Sequence, residues 1–418
     1  VSKVKGQFAW CLYDWANSSF PTVITTFVFA AYFTKAVSAD VTSGTAAWGY
    51  AMSLSALTVA FVGPVLGAIV DQGGRRKPWL GFFTAICIMA SALLWLVEPE
   101  PSFAMMALVL VAVANTAFEI GMVFYNAMLP DLVSKGRLGR LSGWGWGFGY
   151  FGGLCCLGLV LVGFVQTDNP WFGLSTENAE HLRITGPVVA LWLGVFCLPL
   201  FFFCPDRVAS SVNFGQAARA GIATLITTIR QVRNYGNIAR YLLARMLYVD
   251  GLNTLFAFGG IYAAGTFGFT FEELIIFGIA MNVTAGIGAG AFAWVDDRFG
   301  SKLVIMVSVS CLSVLGTALL LVETKTGFWI AGLPLGIFVG PAQSAGRTLM
   351  ARLAPEELRT EMFGLFALSG KATAFLGPAL LGWVTVVMDS QRWGMATIIV
   401  FFIAGLWVMR GVREEGAA

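Results

Sequence analysis

Five ionisable residues lie inside long apolar stretches of this chain: Asp14, Glu119, Arg245, Asp250 and Lys371. An ionisable group in a hydrocarbon-like setting costs about 3 kcal/mol or more, so such groups face a protein interior and take partners. Carboxylates in low dielectric take up and release protons near neutrality, the minimum chemistry of proton coupling. Arg245 and Lys371 add positive charge that can hold an anionic group. Two groupings are expected. Asp250 pairs with Lys371. Asp14 and Glu119 share or relay a proton, or one of them faces Arg245. Permanent salt bridges holding helices in register account for the same residues, and both readings stand at this point.

Polar neighbours gather around these groups. Tyr13, Asn17, Ser18 and Ser19 flank Asp14, and Pro21 follows. A helix disturbed there exposes backbone groups that can hold a solute. Helix-to-helix hydrogen bonding by Ser and Asn is the alternative. Asn253 and Thr254 extend the polar patch beyond Asp250. Gln343 and Arg347 do so further on, with Arg347 placed either to anchor a loop or to contact solute.

Several chemistries are excluded. His181 is the sole histidine, and the seven cysteines lack metal-site spacing. No metal, no cofactor and no catalytic dyad is expected, so the chain is read as a non-enzyme. Gly147-x-Gly149-x-x-Gly152 matches a dinucleotide fingerprint but follows no strand. With Gly143, Gly145 and Gly153 it reads as close helix packing. No Gly-x4-Gly-Lys-Ser/Thr loop is present for ATP-driven pumping. A net charge of +3 implies no nucleic-acid surface.

The elements that position these residues follow from hydropathy. The chain is 57% hydrophobic and 12% charged, about half the charge of a soluble domain. A helix crosses the hydrocarbon with about 20 apolar residues. Twelve spans are expected, at 8–34, 46–70, 79–97, 102–125, 142–165, 182–203, 238–267, 271–295, 303–322, 327–346, 362–388 and 393–409. Of the 26 Lys and Arg, 21 fall at the two termini and in alternate gaps when Arg240 and Arg245, at the start of the seventh span, are counted with the gap before it. Cytoplasmic loops collect such charge, so both termini are expected to be cytoplasmic.

The longest gap carries Arg207, Arg219, Arg230 and Arg233, with Phe214, Ile222, Leu225, Ile226, Ile229 and Val232 at helical spacing. An amphipathic helix along the inner membrane surface is expected. It divides the chain into an N-terminal six-helix bundle (1–203), a cytoplasmic linker (204–237) and a C-terminal six-helix bundle (238–418). The halves read as copies. Asp71 and Asp297 follow the second and eighth spans, 226 residues apart, and Pro130 and Pro355 follow the fourth and tenth, 225 apart.

The loop Gly67-x3-Asp71-x-x-Gly74-Arg75-Arg76-Lys77 resembles a signature of the major facilitator superfamily, with Gln72 in place of the usual first basic residue. The second copy keeps Asp297, Arg298, Gly300 and Lys302, with Ala293 where glycine is usual. Its aspartate can receive the N-terminus of a neighbouring helix and latch the cytoplasmic side. Asp71, Arg75, Arg76, Asp297, Arg298 and Arg347 form the expected gate.

Further segments are similar to the family named for the yeast vacuolar amino-acid effluxer of autophagy. They are Tyr13-Asp14-Trp15-Ala16-Asn17-Ser18-Ser19-Phe20; Phe124-Tyr125-Asn126-Ala127-Met128-Leu129-Pro130-Asp131; Tyr248-Val249-Asp250-Gly251; Gly340-Pro341-Ala342-Gln343-Ser344; and Phe363-Gly364 through Ser369-Gly370-Lys371-Ala372-Thr373.

The resemblance implies a major facilitator fold, all-α, with twelve transmembrane helices in two pseudo-symmetric six-helix bundles. It implies a solute transporter and favours an amino acid or related zwitterion; proton-coupled alternating access of a small polar solute is the expected mechanism because of the intramembrane carboxylates. Tyr13, Asp14, Asn17, Glu119, Tyr125, Asn126, Arg245, Asp250, Asn253, Gln343 and Lys371 are the expected solute or proton contacts. An uncoupled facilitator, an exporter of a peptide or metabolite, and a transport-deficient sensor are the alternatives. The expected setting is a bacterial inner membrane, as a monomer, with solute, protons and lipid as partners.

Overall fold

A chain in lipid must satisfy every backbone amide and carbonyl internally, so long apolar runs fold as helices. The computed structural model describes residues 3–208, 210, 212–230 and 235–414. Among these, every regular element is helical. The first six membrane-crossing elements are α1 (Lys3–Asn17, continued by wide π-helical turns to Val37), α2 (Val41–Gly73), α3 (Lys77–Leu93), α4 (Ala104–Leu132), α5 (Leu138–Val160) and α6 (Thr185–Phe203). The linker forms α7 (Phe214–Arg230). There follow α8 (Gly236–Phe267), α9 (Phe271–Phe299), α10 (Ser301–Leu321), α11 (Lys325–Leu353), α12 (Arg359–Ser369), α13 (Leu376–Val387) and α14 (Gln391–Arg410).

Ten helical stretches among the described residues are long and apolar enough to cross a membrane. The seventh expected span is α8, 32 residues long and carrying Arg245 and Asp250. The eleventh differs from expectation. Instead of one continuous span over 362–388, the chain breaks between Ser369 and Leu376 into α12 and α13. Pro378, in the first turn of α13, lacks the amide and the steric room to continue a helix from α12. Lys371 and Thr373 lie in that break. The first span is disturbed where its polar run falls: α1 ends at Asn17, the Ser19 hydroxyl bonds the Ala16 carbonyl, and Pro21 opens the π-helical turns.

The chain forms two compact units. One comprises Val1–Val62, Arg75–Met128 and Phe148–Ala209; the other comprises Gly63–Gly74, Leu129–Gly147 and Ser210–Ala418. The units do not follow the two sequence halves, because the end of α2 and the turn from α4 into α5 group with the second half.

The glycine run in α5 serves both units by packing. In the first unit, a Cβ at Gly152 would lie 2.4 Å from the Trp15 carbonyl oxygen, and one at Gly153 2.5 Å from the Thr22 hydroxyl. In the second, a Cβ at Gly143 would lie 2.5 Å from the Ala289 carbonyl oxygen of α9. These glycines let helix backbones touch, as small residues do in membranes.

Local geometry repeats along with the sequence. Gly74 and Gly300, each three residues after its aspartate, turn the chain at φ 84° and 90°, a region that glycine enters without a Cβ clash. In the first unit, the Asp206 carboxylate accepts from the amides of Arg76 (2.9 Å) and Lys77 (3.2 Å), while Lys77 Nζ donates to the Cys204 carbonyl (2.8 Å). In the second unit, Glu414 accepts from Ser301 N (3.0 Å) and Lys302 N (2.7 Å), while Lys302 Nζ donates to the carbonyls of Arg410 and Val412. Each acid caps a helix N-terminus, where unpaired amides and the helix dipole favour negative charge.

The amphipathic α7 buries Ala217, Gly221, Leu225 and Thr228 and exposes Arg219, Ile222 and Ile226. A Cβ at Gly221 would lie 2.8 Å from the backbone of Ala68 and Ile69. The helix therefore lies on the end of α2 rather than only along a lipid surface. Arg233 and Val232, also expected on this helix, lie outside the described residues.

Candidate functional site

The second unit holds a clamp built from pieces distant in sequence. Asp71, at the end of α2, accepts a 2.9 Å hydrogen bond from the Glu361 amide in the first turn of α12. A Cβ at Gly67 would lie 2.5 Å from the Thr360 carbonyl oxygen, and one at Gly364 2.5 Å from Pro64 Cα. Only glycines permit this approach. Asp297, the repeat partner of Asp71, does the same at α5: its carboxylate accepts from the Gly139 amide (2.8 Å) and from Arg140 Nε (2.6 Å). Each aspartate thus sits on the N-terminus of a helix from the other sequence half, where its charge meets the positive helix end.

Arg347 completes the clamp. It is almost fully buried. Its Nε donates to the Ser142 hydroxyl (2.9 Å) and a terminal nitrogen to the Ser142 carbonyl (2.7 Å), with the guanidinium 5.7 Å from the Trp146 ring centre. The Ser142 hydroxyl in turn donates to the Ser344 carbonyl at 2.8 Å. Arg352 bridges Asp296 at 3.1 Å and also binds Glu414, and Arg359 reaches Asp131 at 2.6 Å.

Three of the expected gate residues lie elsewhere. Arg75 and Arg298 are exposed, and the Arg298 guanidinium lies 5.5 Å from the Phe299 ring centre. Arg76 is buried in the first unit, donating to the Ala127 carbonyl at 2.9 Å and so tying the start of α3 to α4.

Glu361 was not singled out by the sequence. Its carboxylate is fully enclosed beside the Thr228 hydroxyl of α7 and the Asp71 carboxylate. Burial, and next the negative charge of Asp71, hold its carboxyl above the usual carboxylate range, against the lowering effect of Thr228. The one sequence signal was an acid in the first turn of a helix that opens at a loop, which is common enough to pass unnoticed.

The membrane-embedded residues divide between the units. In the first, Asp14, Asn17 and Asn126 are buried and Glu119 is half-buried. The Tyr13 hydroxyl shares a 2.7 Å hydrogen bond with Thr84. Tyr125 donates to the Trp10 carbonyl (2.9 Å), receives the Trp10 indole N–H at its own carbonyl (3.2 Å), and stacks between Trp10 and Tyr13. Asn17 donates to the Met122 sulfur at 3.2 Å. A further polar knot, Asn115 and Thr116 on the Ser55 hydroxyl at 2.8 and 2.9 Å, joins α4 to α2. Its only signal in the sequence was polar residues inside apolar spans.

In the second unit, Asp250 is buried in α8 and faces Thr373 in the α12–α13 break. A Cβ at Gly377 would lie 2.0 Å from the Thr254 hydroxyl, so the break packs directly on α8. Arg245 donates to the Phe366 carbonyl (2.7 Å) and the Ser369 hydroxyl (2.8 Å) and lies 3.5 Å over the Phe366 ring, holding the end of α12. Lys371 and Gln343 are half-buried, and Asn253 is exposed.

The match to known proteins runs over the whole chain. The family model described as "Vacuole effluxer Atg22 like" matches residues 32–417. An uncharacterized MFS-type transporter of Bacillus subtilis, YxiO, is 26% identical over 98% of this chain and 95% of its own length. Autophagy-related protein 22 of Cryptococcus neoformans is 23% identical over 66% of this chain and 53% of its own. Among solved structures, the human organic anion transporter MFSD10 aligns with a TM-score of 0.74 at 14% identity, over 98% of this chain and all of that one. FucP, in its outward conformation, aligns with a TM-score of 0.75 at 13% identity, covering 99% of each chain.

Proposed function

The chain belongs to the Atg22-like vacuole effluxer family and is a membrane transporter of the major facilitator type, and from that premise we infer that it moves an amino acid or related zwitterion by proton-coupled alternating access. The observation that carries this reading is Asp250, buried in α8 beside a break in the eleventh span that holds Lys371 and Thr373. The break brings the Lys371 and Thr373 side chains to α8 where a solute could meet them, and a buried acid beside it can exchange a proton with that solute's site. The disturbed first span beside Asp14 supports the same chemistry.

The clamp supports a gating role. Asp71 accepts from the Glu361 amide, Asp297 from Gly139 and Arg140, and Arg347 donates to Ser142. Side-chain bonds to helix ends of this kind can form and part within a transport cycle. With the basic gaps on the cytoplasmic side, this is the gate that opens inward in a bacterial inner membrane. The chain works as a monomer.

Flux of labelled amino acids into proteoliposomes, with and without an imposed proton gradient, tests the proposal. Gradient-driven accumulation is expected. Flux that only equilibrates, regardless of the gradient, overturns the coupling. Failure of amino acids to shift the thermal unfolding of the purified protein, where peptides or metabolites succeed, overturns the substrate class.

A further inference from the structure

The second unit carries a basic groove apart from the buried acids assigned to solute and proton. Its walls are the start of α8, the start of α10 and the end of α14, and its volume is about 1220 Å³. Four cations rim it: Arg240, Lys302, Arg410 and Arg413. Arg240 and Lys302 donate to backbone carbonyls of residues 410–412 and so keep their full charge. Among the described residues none of the four meets a carboxylate partner. Glu414 also lines the groove, but it is taken up by the amides of Ser301 and Lys302 and by Arg352.

Beneath the cations the wall turns apolar. Leu243, Leu303, Met306 and Trp407 line it, and Trp407 is 74% exposed. Trp407 precedes Arg410 by three residues, about 4.5 Å along a helix. Positive charge directly above an exposed indole and aliphatic side chains is the profile of a headgroup region over acyl chains. A soluble anion has no use for the apolar wall.

The first unit repeats the arrangement at the ends of α3 and α6. There Arg75, Lys77 and Arg207 rim a smaller groove of about 660 Å³ walled by Phe201. Lys77 and Lys302, 225 residues apart, hold equivalent places, each donating to backbone carbonyls at the end of a repeat's last helix, Lys77 to Cys204 and Lys302 to Arg410 and Val412.

We propose that the groove between α8, α10 and α14 binds the phosphate of an anionic phospholipid, with its acyl chains along Leu303 and Trp407. The site rests on the membrane setting and on the basic loops facing the cytoplasmic leaflet. It does not depend on the solute or on proton coupling, so its failure leaves those readings standing.

Native mass spectrometry of the purified full chain tests it, with phosphatidylglycerol, phosphatidylcholine, glycerol 3-phosphate and inorganic phosphate offered separately and in competition. Retained phosphatidylglycerol in preference to phosphatidylcholine is expected. The double variant Arg410→Gln/Arg413→Gln leaves the carbonyls that bind Lys302 and Arg240 in place. Each basic side chain near an anionic leaflet is worth about fivefold in affinity, so the variant should retain roughly 25-fold less phosphatidylglycerol. Equal retention of both lipids, or an unchanged double variant, overturns the site. Displacement of the lipid by inorganic phosphate or glycerol 3-phosphate at equal concentration overturns the lipid in favour of a soluble anion. Should the double variant not fold, salt decides with the native chain: phosphatidylglycerol retention that does not fall as salt rises refutes the electrostatic site.

Discussion

Replacing Arg347 with Met should loosen the clamp between α5 and α11 without emptying the space its side chain fills. Met keeps an unbranched side chain of fair length but removes both donors to Ser142. A hydrogen bond from a charged group contributes about 1.5–3 kcal/mol, so two at the lower end give about 3 kcal/mol. At about 1.4 kcal/mol per tenfold, local opening becomes about 150-fold more frequent. The Ser142 hydroxyl retains its bond to the Ser344 carbonyl, so the segment stays folded between openings. Hydrogen exchange read by mass spectrometry on residues 138–147 reports the change. Exchange there should quicken by about two orders of magnitude, while Thr185–Phe203 of the first unit keeps its native rate. The double variant with Ser142→Ala should quicken exchange further, because it also removes the bond to the Ser344 carbonyl, but by less than the two single effects combined, since both share the Arg347–Ser142 contact. Exchange within threefold of the native rate would refute the assignment of Arg347 as the holder of α5.

Other measurements follow from named contacts. Asp14→Asn and Asp250→Asn should each abolish gradient-driven flux in proteoliposomes while leaving thermal unfolding near native; normal coupled flux in both removes them from the proton path. Glu361 has its carboxyl held above the ordinary range, so as pH rises from that range through its folded value the native state keeps a proton that the unfolded chain has released. Stability therefore falls with rising pH across that window and levels off above it. Glu361→Gln should flatten this fall and unfold at higher temperature than the native chain at pH 8; parallel melting curves from pH 4.5 to 8 contradict it. Gly340→Val places a Cβ 2.1 Å from the Ala285 carbonyl oxygen, so α9 and α11 must separate, and monodisperse protein should be largely lost in size-exclusion chromatography; native yield would show that this contact yields easily.

Much of this protein was legible in its residues because a bilayer acts locally. Each crossing must be apolar over about 20 residues, and this alone drew the spans and their charged gaps. The repeat was legible for a related reason. Asp71 with Gly74 and Asp297 with Gly300 mark turns whose backbone, at φ 84° and 90°, calls for glycine wherever the turn occurs. The disturbance after Asn17 also showed, because Ser18, Ser19 and Pro21 act on their own helix.

Partner choice was a different matter. That Asp71 would take the Glu361 amide 290 residues away, that Asp297 would take Gly139, and that Arg347 would close on Ser142 depended on which backbones could touch. Glycines at 67, 143, 340 and 364 decide that only once two helices are brought face to face. Arg245 was read as a charge that could hold an anionic group or face Asp14 or Glu119; that it also holds the Phe366 carbonyl and the Ser369 hydroxyl was not legible in the sequence. Pro378 stands plainly in the chain, yet the break it sets in the eleventh span matters through what packs there, since Thr373 in that break faces Asp250 of α8. Hydropathy and turn chemistry are properties of a few consecutive residues and can be read along the chain; the pairing of charges with helix ends is fixed by packing in three dimensions, and only the folded structure decided it.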